Sequence, residues 1–273
     1  MTFPNIGLIA DEIVKNNFKQ EADKLGIGIK FIEMGLSTEK IIELSKDCNF
    51  ICVDPNLISI SSLKSIERSG VMIYPPISAI ESIAKLTMYP SKSQMLSIVV
   101  TRSPHAQIST WPITLITENV LITPAPAISN EQAIEIQLST INLANEIQLI
   151  GGLELIVDAD DFKKLIGINW INPLSSHSFS IGSVTGYFEQ YLRAVLDLPL
   201  GNSTNLNSFI VTGNLFTDIN SDDYRPYLHL MARNPNLKFD QLRNKVGLLG
   251  DNLENMLTEV IHAQQYYCGE IDE

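Results

Sequence analysis

The sequence predicts an α/β fold whose N-terminal part is a parallel sheet and whose remainder is antiparallel α+β. Two patterns carry this. Up to about residue 86, short apolar runs alternate with polar stretches long enough for a helix, the signature of parallel βαβ units. From residue 96 the segments alternate apolar and polar residues, as antiparallel strands with one wetted face do.

The elements follow in order. Residues 5–10 read as a buried strand, 11–25 as a helix, 28–33 as a second strand, 38–46 as a helix and 49–53 as a third strand. Residues 61–69 are helical again, 71–74 form a fourth strand closed by Pro75-Pro76, and a helix over 78–86 runs into the breaker-rich Tyr89-Pro90-Ser91-Lys92-Ser93. Strands are expected over 96–101, 108–118 and 120–123. Ser129 with Gln132 three residues on forms a capping box opening a helix whose apolar face would be Ile134, Leu138 and Ile141. A hairpin over 153–157 and 165–171 brackets the acidic turn 158–161. A long helix over 183–196 stops at Leu198-Pro199-Leu200-Gly201. Strands at 209–215, 227–231 and 246–249 then precede a helix over 253–265.

Composition narrows the function classes. Nineteen Lys and Arg against 31 Asp and Glu, a net charge of −12, is the opposite of a nucleic-acid footprint, so no nucleic-acid partner is expected. No stretch is apolar enough for a membrane span, and residues 1–18 lack a charged region followed by an apolar one; a cytoplasmic protein without membrane contact is expected. Cys48, Cys52 and Cys268 contain no CxxC pair, and His105, His177, His229 and His262 show no HxxxH spacing, which argues against disulfides and zinc. Cys48 and Cys52 are expected as buried hydrophobes, and Trp111 and Trp170 as core residues.

One segment is more specific. Phe188-Glu189-Gln190-Tyr191-Leu192-Arg193-Ala194-Val195-Leu196-Asp197-Leu198-Pro199-Leu200-Gly201 strongly resembles a segment of the 5-(carboxyamino)imidazole ribonucleotide synthases, ATP-grasp ligases of purine biosynthesis. Family-like segments continue in order: Ile6-Gly7, Leu25-Gly26-Ile27, Gly70-Val71-Met72-Ile73-Tyr74-Pro75, residues 96–102, Trp111-Pro112 and Pro124-Ala125-Pro126. Gly152-Leu153-Glu154-Leu155, residues 169–173, Asn214-Leu215 and His229-Leu230 complete the set, nearly end to end. The resemblance implies a Rossmann-like pre-ATP-grasp domain (residues 1–86), a short linker (87–95) replacing the ATP-grasp lid, a truncated ATP-grasp core (96–204) and a small β-rich C-terminal domain with a terminal helix (205–273). It also implies carboxylation of aminoimidazole ribonucleotide with ATP, magnesium and bicarbonate, and a possible homodimer.

Matched to the family's motifs, the chain departs where the chemistry should be. The Gly-rich turn after the first strand is replaced by Ala10-Asp11-Glu12-Ile13-Val14-Lys15, with acidic residues that read as ordinary helix capping. The lid subdomain, with its phosphate-clamping lysines, has no counterpart between the helix over 78–86 and the strand at 96. Glu154 matches one metal-ligating glutamate, but Trp170 stands where the second belongs; Asn172 is a weak substitute ligand. On the C-terminal segment that the family uses for phosphate, Lys238, Arg243 and Lys245 are displaced but still cluster, as weak candidates for a substrate phosphate.

The reading favoured by these losses is a homologue without catalytic residues or cofactors, acting as a binding or scaffold protein for an unidentified protein partner or small ligand. The alternative is a shortened active ligase, using ATP and magnesium with a lid supplied from elsewhere. A third reading is a purine-ribonucleotide sensor using Lys238, Arg243 and Lys245.

Overall fold

A computed structural model describes residues 3–126, 128–215 and 223–270. Four parallel strands, β1 (Asn5–Ile9), β2 (Gly28–Phe31), β3 (Phe50–Val53) and β4 (Ile73–Tyr74), form the first sheet in the order β2-β1-β3-β4. Helices α1 (Glu12–Leu25), α2 (Thr38–Ser45) and α3 (Ile60–Arg68) make the crossovers, and α4 (Ile77–Ile83) follows the last strand. Each crossover helix starts on a residue whose side chain accepts a backbone N–H: Asp11, Ser37 and Ser59. Residues 84–94 then lead directly into β5 (Met95–Arg102) without a helix or strand, tied down where the Tyr89 amide donates to the Leu165 carbonyl at 2.8 Å.

The second sheet has nine strands, all in antiparallel pairs. Its order is β10 (Leu165–Asn169), β9 (Gly151–Asp158), β5, β7 (Thr114–Ile116), β8 (Val120–Thr123), β11 (Phe209–Asn214), β13 (Lys245–Gly250), β12 (Lys238–Asp240), with β6 (Ile108–Thr110) paired to β5. The strands drawn from residues 205–273 thus extend the same sheet as those of 96–204.

Four local expectations are corrected. Residues 227–231 lie in a helix, α8 (Arg225–Arg233), because Pro226 in its first turn presets the helical φ and the alternation Tyr-Leu-His-Leu-Met buries only Leu230. Helix α5 (Asn130–Glu146) does carry the Ser129–Gln132 capping box, but it turns Ile136, Thr140 and Ala144 inward. Ile134 and Leu138 are 57% and 52% exposed and Ile141 is half-buried. Both stripes have helical spacing; small residues at 140 and 144 let the backbone approach the sheet, and the Thr140 hydroxyl is satisfied by the Ile136 carbonyl at 3.0 Å.

The helix expected over 183–196 is shortened to α7 (Tyr187–Val195), with Ser183 extended before it, and a separate helix, α6 (Ser176–Gly182), precedes it. The end of α6 packs tightly at Gly182: a Cβ there would sit 2.5–2.6 Å from Ile210 and Leu249 side-chain atoms. The strand expected over 108–118 is interrupted at Trp111-Pro112 into β6 and β7, since proline has no amide for the ladder.

Two apolar cores result. One wraps the parallel sheet and reaches across to β5, β9 and α7; the other lies under α5, α8 and α9 (Leu253–Tyr267). Phe18 of α1 meets Phe188 and Tyr191 of α7 edge-to-face at 4.9 and 5.3 Å, which locks the two sheets together. Trp111 and Trp170 are buried in the same core, as expected; Cys52 is buried there too, whereas Cys48, also expected inside, is only half-buried. No helix among the described residues is long and apolar enough to cross a membrane.

Candidate functional site

Glu154 sits at the middle of β9, paired on one side with β5 and on the other with β10, and is fully buried. Its surroundings account for that. Oε1 accepts from Ser97 Oγ at 2.5 Å and Ser175 Oγ at 3.2 Å; Oε2 accepts from Asn169 Nδ2 at 2.6 Å and the Leu174 amide at 2.8 Å. Four donors match the four lone-pair positions of one carboxylate. Burial pushes the Glu154 carboxyl above the usual range, and the hydrogen bonds from Asn169, Ser97 and Leu174 only partly offset it. The strand is therefore not wetted at this position.

A second polar group lies beyond Ser175. The short 3-10 turn Gln241–Arg243 ends at Asn244, whose φ of 49° reverses the chain into β13. That reversal turns Arg243 inward: Nε donates to Asp240 Oδ2 at 2.7 Å and Nη1 to Ser176 Oγ at 3.0 Å, with the guanidinium 5.6 Å over the Phe188 ring. Ser176 Oγ in turn donates to Asn172 Oδ1 at 3.4 Å, so Asn172 and Arg243 belong to one chain of bonds. Lys245 donates to Asn214 Oδ1, and burial together with the nearby Arg243 charge holds its ammonium below the usual lysine range. Lys238 stands apart, exposed at the start of β12. The structure thus brings Arg243, Lys245 and Asn172 into one region and leaves Lys238 outside it.

Arg243 Nη2 and His177 Nε2 are buried without hydrogen-bond partners. Both residues line a cavity of about 380 Å³ together with Asn16, Asn17 and Gln20 of α1. Burial and the Arg243 charge push the His177 imidazole down to about 3, against the weaker pull of Asp240, whose Oδ2 lies 3.9 Å from Nδ1. His177 is neutral, so this contact is not an ion pair at neutral pH. For Asp240, burial raises the carboxyl, but the Arg243 hydrogen bond and charge outweigh it and hold it low. In the sequence His177 is considered only for zinc spacing and Asp240 not at all; the polar run Ser175-Ser176-His177-Ser178 is the available signal, since buried polar side chains must find partners.

The remaining positions are occupied structurally. Asp11 Oδ1 accepts from the Ile13 amide at 3.1 Å and Glu12 pairs with Lys15, so the α1 N-terminus is capped by its own side chain. Trp170 is in the core, its carbonyl accepting from Tyr187 Oη at 3.0 Å. Among the described residues no group of three or more His, Cys, Asp or Glu side chains is placed to hold a metal ion.

Solved structures share this α/β architecture. The N5-carboxyaminoimidazole ribonucleotide synthetase of Thermotoga maritima superposes with a TM-score of 0.80 at 15% identity, over 97% of this chain and 98% of that one. The corresponding synthase of Aspergillus clavatus, in complex with ADP and 5-aminoimidazole ribonucleotide, gives 0.78 at 14% identity, over 98% and 99%.

Over about half its length the chain is similar to N5-carboxyaminoimidazole ribonucleotide synthases. It is 33% identical to those of Mycobacterium bovis and Mycobacterium tuberculosis over 154 residues, 52% of this chain and 36% of the relative. The synthase of Corynebacterium ammoniagenes is 32% identical over 137 residues, 45% of this chain and 32% of the relative. The matched stretch spans about a third of these relatives' length. No family model matches the chain.

Proposed function

We propose that the chain is a non-catalytic homologue of these purine-biosynthetic synthases, having kept the scaffold and lost the ATP-dependent reaction, and that it works by binding. One observation carries the reading: both oxygens of Glu154 are already saturated by protein donors. A magnesium ligand must give a lone pair to the ion in a near-octahedral shell; this carboxylate has none free, and Trp170 supplies no oxygen from its side chain where a second glutamate is expected. The residues present do not fit the metal. The self-capped α1 and the direct passage of residues 84–94 into β5, in place of a lid, support the same reading. The acidic surface suits a basic protein partner, and a second copy of the chain is the other candidate.

The test is thermal unfolding with and without millimolar magnesium-ATP. No shift is expected. A ligand held by the folded state at a hundredfold excess over its Kd adds about 2.7 kcal/mol, so a magnesium-dependent rise of several degrees would reinstate the shortened active ligase.

A second reading, a ribonucleotide sensor without turnover, is favoured by the unpartnered Arg243 Nη2 and His177 Nε2 in the cavity against α1. A phosphate there would accept from Arg243. Ribose 5-phosphate titrated by calorimetry should bind, and Arg243→Met should weaken it roughly tenfold to a hundredfold, the value of a hydrogen bond to a charged group. Equal affinity in a variant with unchanged circular dichroism removes Arg243 from the site and this reading with it.

A further inference from the structure

The opposite face of the second sheet holds a cavity that the synthase-like site does not use. Side chains alternate along a strand, so Leu155 and Val157 of β9 point away from Glu154, and with Ile98 of β5 they form the floor of a recess of about 530 Å³ under α5. Ile136, Leu143 and Phe162 complete its apolar wall. Ile98, Ile136 and Val157 belong to one apolar core and Leu155 to the other, so the recess is the seam where the two cores meet without filling the space. Its size falls within the usual range for small-molecule sites, about 300–1,000 Å³.

The rim is acidic. Glu135, Asp160 and Asp161 face Lys163, three carboxylates against one ammonium. Asp161 is partly neutralised by Lys164 at 3.4 Å, whereas Glu135 and Asp160 have no ion-pair partner among the described residues. The rim turn is held by its own bonds: the Asp160 amide donates to Asp158 Oδ1 at 2.9 Å and the Lys163 amide to Asp161 Oδ1 at 3.3 Å. Thr140 makes no demand on a ligand, its hydroxyl being bonded to Ile136. An occupant must therefore present an apolar body to the floor and, if charged, a cation to the rim.

We propose that this recess between α5 and the β9–β10 turn binds a small organic ammonium compound, its hydrocarbon part on Ile98, Leu155, Val157 and Phe162 and its ammonium beside Glu135 and Asp160. The site lies across the sheet from Glu154 and Arg243, so it stands or falls independently of the function proposed above.

The experiment is calorimetric titration of the whole chain with 4-phenylbutylammonium, 4-phenylbutanol and 4-phenylbutanoate, which share a hydrocarbon body and differ in charge. The ammonium should bind about five- to tenfold tighter than the alcohol at low salt, the preference shrinking as salt screens the exposed rim; the carboxylate should bind weakest. Ser139→Trp, at an exposed position on the rim of the recess, should abolish binding of all three, and Glu135→Gln with Asp160→Asn should bring the ammonium down to the alcohol's affinity. Heat of binding absent at millimolar ammonium, equal affinity for ammonium and alcohol, or binding that survives Ser139→Trp in a folded variant each overturns the proposal.

Discussion

Glu154→Ala should cost roughly 3–5 kcal/mol of folding stability in urea unfolding at pH 7, since each of several buried donors left unpaired costs about 1–3 kcal/mol and the side chains relax in part. The loss comes less from the carboxylate than from what it leaves behind. Ser97, Asn169, Ser175 and the Leu174 amide all point at its oxygens, and in the alanine variant these donors face a void. Glu154→Gln should cost less, about 1–3 kcal/mol, because the amide still accepts on one side while its NH₂ meets two donors on the other. Glu154→Leu combined with Ser97→Ala and Ser175→Ala should recover part of the alanine loss, since donors and acceptor leave together. A penalty under about 1 kcal/mol for Glu154→Ala would mean that the carboxylate is not a structural hub, and it would weaken the argument that its oxygens are unavailable to magnesium.

That cage explains what could and could not be read in the sequence. The parallel βαβ order was legible because strands buried on both faces are runs of apolar residues and each crossover helix opens on Asp or Ser. The segment 188–201 stood out because Phe188, Tyr191 and Leu192 must meet α1 and the sheet at fixed spacing, a packing demand that leaves a long pattern. Helix α5 was misjudged because two apolar stripes compete on it, and only the approach distance to the sheet decides for Ile136 over Ile134 and Leu138. Glu154 was recognised as a retained position, but its donors come from β5, β10 and the turn before α6, so whether it faces a cleft or a cage depends on contacts separated by up to 57 residues. Asp240 and His177 were invisible as a pair for the same reason: they meet only when the turn at Asn244 folds Arg243 inward.

Acid should destabilise the protein through His177, and His177→Leu should remove that sensitivity. The folded imidazole titrates near 3, its unfolded counterpart near 6.5. A histidine held neutral contributes its full stability above the unfolded value; as the pH falls below 6.5 the unfolded chain takes a proton that the folded chain refuses, and stability is lost down to the folded value. One proton corresponds to about 1.4 kcal/mol per pH unit, and the unfolded imidazole is half protonated at pH 6.5, so between pH 6.5 and 5 the wild type should lose about 1.7 kcal/mol relative to His177→Leu. The groups facing the ring do not reverse this: Arg243 and Lys245 favour the neutral form, and Asp240, which opposes them, is itself held low and titrates below the window. Glu154 acts with the opposite sign, since a carboxyl raised by burial contributes stability at low pH that is lost as the pH rises through its folded value; His262, lowered like His177, acts with the same sign. Both are present in wild type and variant and cancel in the difference. Urea midpoints at pH 5.0 and 6.5 read the effect directly. Parallel pH profiles for the two proteins would show that His177 takes up a proton in the folded state. Arg243 would then have to move away from the ring or pick up an anion, and the cavity against α1 would no longer be the neutral-histidine site described above.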